Sequence, residues 1–255
     1  MTKKLFLVFC LIVFFSIPPV FGGEPVKLAT LVWEPYIGPD MPNQGYVYEL
    51  VAAAFKKGGY NTDIQYFPWA RAVHLTETGR QDALFPEYYD SNREEKYVFS
   101  DPFPGGPVGF YKRKDNPISF AVDPKKDIKT VLKGLKQYSF GVVRGYINTK
   151  EFDAADYLKK DEANGDEMNL VKLFNKRIDM IFIDRYVAAH IIVRKFPHYM
   201  DQLEFMEPPL EEKKLYVAFS KQAPDYRQKL KAFNTGLKAL EQDGTLEKIM
   251  MAHGF

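Results

Sequence analysis

Short apolar strands alternate with amphipathic helices over the first third of the chain, and this alternation constrains the fold more than any other feature. The pattern predicts strands over Val26–Val32, Thr62–Phe67 and Asp82–Phe85, with helices over Tyr46–Lys57 and Trp69–Thr78 between them. Parallel strands need a long crossover connection, and helices of this length supply it. We therefore predict an α/β fold that begins with a parallel sheet.

The middle of the chain predicts a second, smaller α/β unit after a change of composition at Lys114–Pro117. Its predicted strands and helices alternate as in the first unit. The strands are predicted over Tyr138–Val143 and Met180–Ile183, and the helices over Asp127–Gln137, 146–159, Asp166–Arg177 and Asp184–Lys195. Two separate α/β units predict two lobes with a cleft between them, where ligand sites are common.

The residues after Ser220 predict two helices without a sheet of their own, over Asp225–Gln242 and Thr245–Ala252. We expect these helices to pack back onto the first unit. The chain then crosses twice between the lobes, and hinge motion is expected near Val108–Arg113 and Leu215–Ser220. The predicted domains are lobe 1 over residues 23–112 and 213–255, and lobe 2 over residues 113–212.

The amino terminus has the pattern of a secretory signal peptide over residues 1–22. Lys3 and Lys4 precede an apolar run, Leu5–Val20, and a small residue stands before Gly23. The alternative is a membrane anchor. Two prolines interrupt the run, and it is shorter than the roughly 20 residues that a spanning helix needs. We therefore predict export to the periplasm.

Removal of this leader changes the charge and the redox chemistry of the chain. The whole chain has 35 basic and 33 acidic residues, and the leader contains two of the lysines, no acid and the only cysteine, Cys10. The remainder is electrically neutral, which argues against nucleic acid as a partner. Without cysteine it has neither a disulfide nor a thiolate nucleophile.

Sequence signatures of catalysis and of cofactor binding are not found. The four histidines do not show the spacing of metal ligands, and the chain has no G-x-S-x-G, P-loop or G-x-G-x-x-G motif. We therefore predict a protein that is not an enzyme and that needs no cofactor and no metal.

Arg93 follows the predicted strand Asp82–Phe85 after an aromatic turn. Open α/β sheets bind their ligands at the carboxyl ends of strands, and a guanidinium matches the geometry of a carboxylate. We predict that Arg93 binds the acid group of a small ligand. The alternative is a surface arginine paired with Glu94, Glu95 or Asp90.

Asp184 directly follows the predicted strand Met180–Ile183 and also begins the next predicted helix. An aspartate at this position is an ordinary helix N-cap. The functional alternative is that Asp184 accepts a hydrogen bond from a ligand ammonium. With Arg93 in the other lobe, it would provide opposite charges on the two sides of the cleft, a pairing that suits a zwitterion.

Aromatic and glycine residues near the same strand ends complete the predicted site. A tight turn at Gly145-Tyr146 could direct backbone N–H groups at an anion. Arg71 could reach the same opening, although a solvated arginine on the helix face is the alternative. The aromatic candidates near these strand ends are Trp33, Tyr36, Trp69, Tyr88 and Tyr89.

Five motifs occur together in this chain: Trp33–Tyr36, Gly45–Leu50, Gly79–Ala83, Arg93 with Phe99–Phe103, and Arg177–Asp179 with Asp184. Taken together, these motifs resemble the bacterial extracellular solute-binding proteins of family 3, the polar amino-acid binders of ABC importers. The resemblance extends over the chain from about Lys27 to the C-terminal helix. It implies a bilobed periplasmic-binding-protein type II fold, in which two α/β lobes are joined by two hinge strands.

The resemblance also implies roles for the site residues. Arg93 would grip the α-carboxylate of an amino acid, Asp184 would receive its α-ammonium, and Trp33 would flank its side chain. The turn Gly145-Tyr146-Ile147 would add carboxylate contacts. The chain departs from the family at Pro86–Tyr89, where small hydroxyl residues are usual, and this departure implies a bulkier or non-standard ligand.

The sequence therefore predicts a monomeric, exported protein that captures a small amino acid or related carboxylate for an ABC permease. One alternative is a periplasmic enzyme on the same fold, such as a dehydratase, with Glu87 or His74 as its acid or base. The other is a sensory module that presents its ligand to a membrane receptor.

Overall fold

The computed structural model describes residues 24–255, so the predicted signal peptide, residues 1–22, lies outside the described residues. None of the helices in this range is long and apolar enough to cross a membrane. In chain order the elements are β1 (Val26–Thr30), α1 (Tyr46–Lys57), β2 (Thr62–Tyr66), α2 (Trp69–Glu77), β3 (Ala83–Glu87), β4 (Tyr97–Phe99), β5 (Pro107–Arg113), α3 (Ile128–Gly134), β6 (Ser139–Val143), α4 (Lys150–Asp153), β7 (Lys159–Ala163), α5 (Asp166–Phe174), β8 (Met180–Asp184), α6 (Arg185–Lys195), β9 (Leu203–Phe205), β10 (Glu211–Glu212), β11 (Tyr216–Ser220), α7 (Tyr226–Gln242) and α8 (Thr245–Ala252).

The first sheet has the strand order β2-β1-β3-β11-β4. Strand β1 is parallel to β2 and to β3, with Leu28 opposite Ile64 on one side and Ala83 on the other. Strand β11 runs antiparallel to β3 and β4, so the end of the chain completes this sheet. The predicted parallel sheet at the start of the chain and the return of the last segment are both present.

The second sheet has the strand order β10-β5-β8-β6-β7, and β9 also pairs with β5. Strand β6 is parallel to β7 and β8, whereas β5 is antiparallel to β8. An aromatic cluster lies in the interior of this lobe, where the ring centroid of Phe110 is 5.2–5.8 Å from those of Phe140, Phe152 and Phe182. Aromatic side chains of this size bury a large apolar area.

The chain crosses between the lobes just before β5 and just before β11. Phe103 and Leu215 form an antiparallel bridge, and the N–H of Lys213 donates to the carbonyl of Gly106 at 2.9 Å. The segments predicted as hinge strands, Val108–Arg113 and Leu215–Ser220, lie mostly within the two sheets. They are largely apolar and pair with strands on both sides, so we place the crossings at residues 103–106 and 213–215 instead.

One predicted helix is mostly absent. The structure forms only α4, Lys150–Asp153, within the predicted range 146–159, and β7 begins at its last residue. Strand β7 reads Lys-Lys-Asp-Glu-Ala and is mostly exposed at the sheet edge. A polar edge strand lacks the alternation of apolar residues that predicts strands, which explains why it was missed.

Candidate functional site

The loops that follow β1 and β3 in the first lobe face the ends of β6 and β8 in the second. Hydrogen bonds join the facing side chains and backbone across the cleft. Among them are Arg93 Nη2 to Gly145 O (2.7 Å), Trp69 Nε1 to Gly145 O (3.0 Å), Tyr36 OH to Asp184 (2.9 Å), Tyr88 OH to Asp184 (3.3 Å), and His190 with Glu34 (3.0 Å). Residues far apart in sequence therefore form one inter-lobe surface.

Asp184 is the helix N-cap that its sequence position suggested, and it also accepts hydrogen bonds across the cleft. One carboxylate oxygen caps α6 by accepting the N–H groups of Tyr186 (2.8 Å) and Val187 (3.2 Å). The other oxygen accepts the hydroxyl groups of Tyr36 and Tyr88 from the opposite lobe. The residue is 4% exposed, and burial raises its pKa to about 6 while these hydrogen bonds lower it.

Arg93 lies on a 3-10 turn, Ser91–Glu95, after β3. Its guanidinium forms an ion pair with Glu87 and donates to the Gly145 carbonyl of the second lobe. The sequence-based alternative had paired Arg93 with Glu94, Glu95 or Asp90, which are close in sequence. The observed partner is Glu87, the last residue of β3, so Arg93 is a cleft residue with a protein carboxylate on its guanidinium.

Glu87 is 3% exposed, and its own carboxylate also accepts the N–H of Tyr88 at 2.9 Å. Burial raises the pKa of Glu87 to about 7, although the charge of Arg93 lowers it. From the sequence, Glu87 had a proposed role only as the acid or base of the enzyme alternative. The substitution of small hydroxyl residues by Pro86–Tyr89 was the signal that could have identified it.

The inner pocket lies between the lobes and is mostly apolar. Its space of about 20 Å³ is close to that of a single water molecule, so a larger solute requires the lobes to separate. The indole rings of Trp33 and Trp69 pack edge-on to Tyr88 and Tyr146, with centroids 5.9 Å and 6.0 Å apart. The lining residues are Leu31, Trp33, Trp69, Pro86, Glu87, Tyr88, Tyr146, Ile147 and Leu215.

An outer chamber of about 430 Å³ shares several walls with the inner pocket. Its aromatic walls are Trp33, Tyr66, Phe67, Trp69 and Tyr146. Its charged lining residues are Glu34, Asp166, Glu167 and Lys195. The chamber is therefore aromatic and acidic.

Asp166, the first residue of α5, is the most buried acid of the outer chamber and is 7% exposed. The indole N–H of Trp33 donates to it, and the Tyr146 hydroxyl lies 3.4 Å from its Oδ2. Burial first, and then the charge of Asp184, raise the pKa of Asp166 to about 7. Sequence reasoning missed this residue because an acid in the first turn of a helix is common.

Six predicted site residues do not line the inner pocket or the outer chamber. Four of them, Tyr36, Arg93, Gly145 and Asp184, form the inter-lobe hydrogen bonds described above, whereas Tyr89 and Arg71 take no part in those bonds. Tyr89 is 44% exposed, donates its hydroxyl to Glu94 at 2.8 Å and packs on Phe99 and Tyr216. Tyr88 faces the cleft, and successive side chains at a strand end point to opposite sides. Arg71 is exposed, which agrees with the alternative of a solvated arginine on the helix face, and its guanidinium carbon lies 5.5 Å from the ring centroid of Phe67.

Asp166 makes the stability of the protein depend on pH. Its folded-state pKa of about 7 exceeds the ordinary value of 3.8, so its contribution to stability is complete below about pH 4 and is lost as the pH rises to 7. The unfolding free energy of the wild type should therefore fall between pH 5 and pH 8, and we expect this fall to be about 2 kcal/mol smaller in Asp166→Asn. Urea denaturation at both pH values measures the difference.

The exposed Asp156 of the same lobe provides a control, because Asp156→Asn should keep the pH dependence of the wild type. An Asp166→Asn variant with an unchanged decline would contradict the titration assigned to Asp166.

Comparison with known proteins identifies the fold. The model of the bacterial extracellular solute-binding proteins, family 3, matches residues 33–254, and no curated protein sequence matches the chain. One similar solved structure is the GluR0 ligand-binding core from Nostoc punctiforme in complex with L-glutamate. It has a TM-score of 0.72 at 16% identity, and the match covers 90% of this chain and 99% of that one.

Two further solved structures have the same architecture. The arginine-, lysine-, histidine-binding protein ArtJ from Geobacillus stearothermophilus has a TM-score of 0.69 at 18% identity, with 91% and 95% coverage. A histidine kinase sensor domain with similarity to periplasmic binding proteins has a TM-score of 0.75 at 18% identity, with 91% and 96% coverage. At these identities the likeness establishes the fold, and the predicted bilobed periplasmic-binding-protein fold is confirmed.

Proposed function

The chain belongs to family 3 of the bacterial extracellular solute-binding proteins, and from that premise we propose that it captures a small amino acid or a related charged solute for an ABC importer. The solute is bound between the lobes and presented to the permease by the closed protein, which acts as a monomer in the periplasm. Two similar structures support this substrate class, because one is a complex with L-glutamate and the other is named as an arginine-, lysine-, histidine-binding protein.

The observation that carries the proposal is the convergence of charged and aromatic side chains from both lobes on one buried surface. Arg93, Glu87 and Trp69 come from the first lobe, and Asp166 and Asp184 come from the second. Charged groups are seldom buried without a partner, because desolvation of each ion costs several kcal/mol. A solute with complementary charges offsets that cost, and closure then becomes favourable.

Arg93 and Asp184 are the proposed charged contacts, and the structure pairs each with protein groups. Arg93 contacts Glu87 and the Gly145 carbonyl, whereas Asp184 accepts two tyrosine hydroxyls. A solute bound at either residue competes with these inter-lobe contacts. Trp33, Tyr88, Tyr146 and Ile147 of the inner pocket complete the proposed binding surface.

Ligand binding is expected to raise the thermal stability of the wild type. A solute at a hundredfold excess over its dissociation constant adds about 2.7 kcal/mol, which corresponds to about 5–10 °C for a chain of this size. A thermal-shift screen over amino acids, amines and small acids measures it. The stabilisation should vanish in Trp69→Leu, which removes the indole that reaches Gly145.

The control for this screen is Tyr157→Leu, which changes an exposed ring of the second lobe outside the cleft. Its thermal shift should equal that of the wild type. If no solute of the screen stabilises the protein and small-angle scattering detects no closure, capture between the lobes is excluded.

An enzyme on the same fold is the second candidate, because the pKa of Glu87 is raised to about 7 in the cleft. A general acid or base works best with a pKa near the working pH. His74, the other residue considered for this role, is exposed on α2. Chromatographic detection of products after incubation with the same solutes would favour this alternative.

A sensory module is the third candidate, and the similar histidine kinase sensor domain is the observation that favours it. The same cleft serves transport and sensing, because the two functions differ only in the membrane partner. Crosslinking of the protein in cell envelopes to a permease or to a receptor distinguishes them.

A further inference from the structure

We propose that the cleft selects an organic cation without a carboxylate, and that Glu87 occupies Arg93 in the place of a ligand carboxylate. The cation binds at Asp166 among the aromatic rings of the outer chamber. This inference rests on the proposed function, capture of a solute between the lobes, and names the class of solute; in it Asp166 takes the place of Arg93 as a charged contact of the solute.

The charges of the cleft carry the inference. The guanidinium of Arg93 is already neutralised by Glu87, a buried carboxylate of the same lobe. In contrast, Asp166 and Asp184 form no ion pair with any basic side chain of residues 24–255, and their partners are hydroxyl, indole and amide groups. The cleft therefore has excess negative charge, and a cationic solute balances it.

The other charged residues of the outer chamber do not cancel this excess. Glu167 pairs with Lys195, and Glu34 contacts His190 at 3.0 Å, an imidazole that is charged only when protonated. Each of these two acids contacts a basic side chain of its own. Asp166 is the chamber's acid that lacks one among the described residues, and it is the most buried of the three.

The aromatic walls suit a cation rather than an anion. An ammonium or guanidinium group is attracted to the face of an aromatic ring, most strongly to tryptophan. Five such rings line the chamber, and Trp33 and Tyr146 also hydrogen-bond to Asp166. A positively charged group next to Asp166 therefore meets a carboxylate and aromatic rings together, in a space of about 430 Å³.

An α-amino acid meets a competitor in the same cleft. Its carboxylate must share Arg93 with Glu87 or displace it, and a displaced Glu87, which is 3% exposed, would lose its charged partner. A decarboxylated amine leaves the Glu87–Arg93 pair in place and still supplies the positive charge. The matched amine is therefore expected to bind more tightly than its parent amino acid.

The test is isothermal titration calorimetry at pH 8 with two matched pairs of probes, lysine against cadaverine and arginine against agmatine. At least one amine should bind the wild type tenfold or more tightly than its parent. Asp166→Asn should lower the affinity for that amine at least tenfold. Asp156→Asn, at an exposed site of the same lobe, should leave this affinity unchanged.

A second variant reverses the preference. Glu87→Gln keeps the size of the side chain and removes the charge that neutralises Arg93. The affinity for the parent amino acid should then rise at least tenfold relative to the affinity for its amine. Circular dichroism should show that the variant remains folded.

If the wild-type protein binds the amino acids as tightly as the amines, the inference is overturned and the proposed function is left intact. The inference is also overturned if the wild-type protein binds neither amine. An Asp166→Asn variant with unchanged amine affinity overturns it as well. Capture between the lobes itself fails only if the broad thermal-shift screen also finds no stabilising solute, so the two failures can be told apart.

Discussion

Gly236→Ala is expected to lower the midpoint of thermal unfolding by about 6–12 °C. Helix α7 packs on α1 at this glycine, and a Cβ there would lie 1.9 Å from the carbonyl oxygen of Ala54 and 2.7 Å from its carbonyl carbon. The obstacle is backbone, which cannot rotate away as a side chain can, so the helices must separate. Overpacking of this severity costs about 3 kcal/mol, and each kcal/mol shifts the midpoint by about 2–4 °C.

Gly134→Ala is the matched control. Gly134 is also a helical glycine, the last residue of α3, but a Cβ added there would have no atom within 4 Å. That variant should melt at the wild-type temperature or slightly above it, since alanine is the better helix former. Differential scanning fluorimetry of both variants measures the contrast. A midpoint for Gly236→Ala within 2 °C of the wild type would refute the close packing of α1 and α7.

The same packing also affects the candidate site. Helix α1 begins at Tyr46, and the hydrogen bond from the N–H of Val47 to the Tyr36 carbonyl connects α1 to the loop after β1. Tyr36 in turn donates its hydroxyl to Asp184 across the cleft. A displaced α1 is therefore expected to weaken the inter-lobe contact at Asp184, in addition to its effect on the first lobe.

Local sequence patterns predicted the elements that bury an apolar face. Helix α1 has the predicted bounds Tyr46–Lys57, and β1, β2 and β3 lie within or next to their predicted ranges. These patterns record burial directly, because the period of the apolar residues matches the period of the element. Strand β7 follows a different rule, since its pairing with β6 involves backbone groups whatever the side chains are.

The candidate site was predicted less completely than the fold. Arg93 and Asp184 follow strands, so the topology placed both near the cleft. Their actual partners could not be predicted, because Glu87 and the tyrosine hydroxyls meet them only after the chain has folded. Asp166 was missed because an acid in the first turn of a helix is common, and its contact with Trp33, 133 positions earlier in the chain, forms only on folding.

Arg93→Ala is expected to lower the free energy of unfolding by about 3 kcal/mol at pH 8 and by much less at pH 5. Removing one partner of a buried ion pair leaves the other charge unpaired, and such losses amount to about 3–5 kcal/mol. We take the lower limit because the Arg93 side chain is 16% exposed. At pH 5 Glu87 already carries a proton, since its pKa is about 7, and loses little when Arg93 is removed.

Combining the substitution with Glu87→Gln separates the ion pair from the packing of the arginine. The double variant has no buried carboxylate to leave unpaired, so it should recover most of the stability that Arg93→Ala loses at pH 8. Urea denaturation of the wild type, both single variants and the double variant, at pH 5 and pH 8, gives the coupling energy. A loss in Arg93→Ala that is equal at the two pH values and is not recovered in the double variant would mean that Arg93 acts through packing. A loss that follows the charge of Glu87 would mean that the protein supplies its own carboxylate to the arginine, the condition on which selection of a carboxylate-free cation depends.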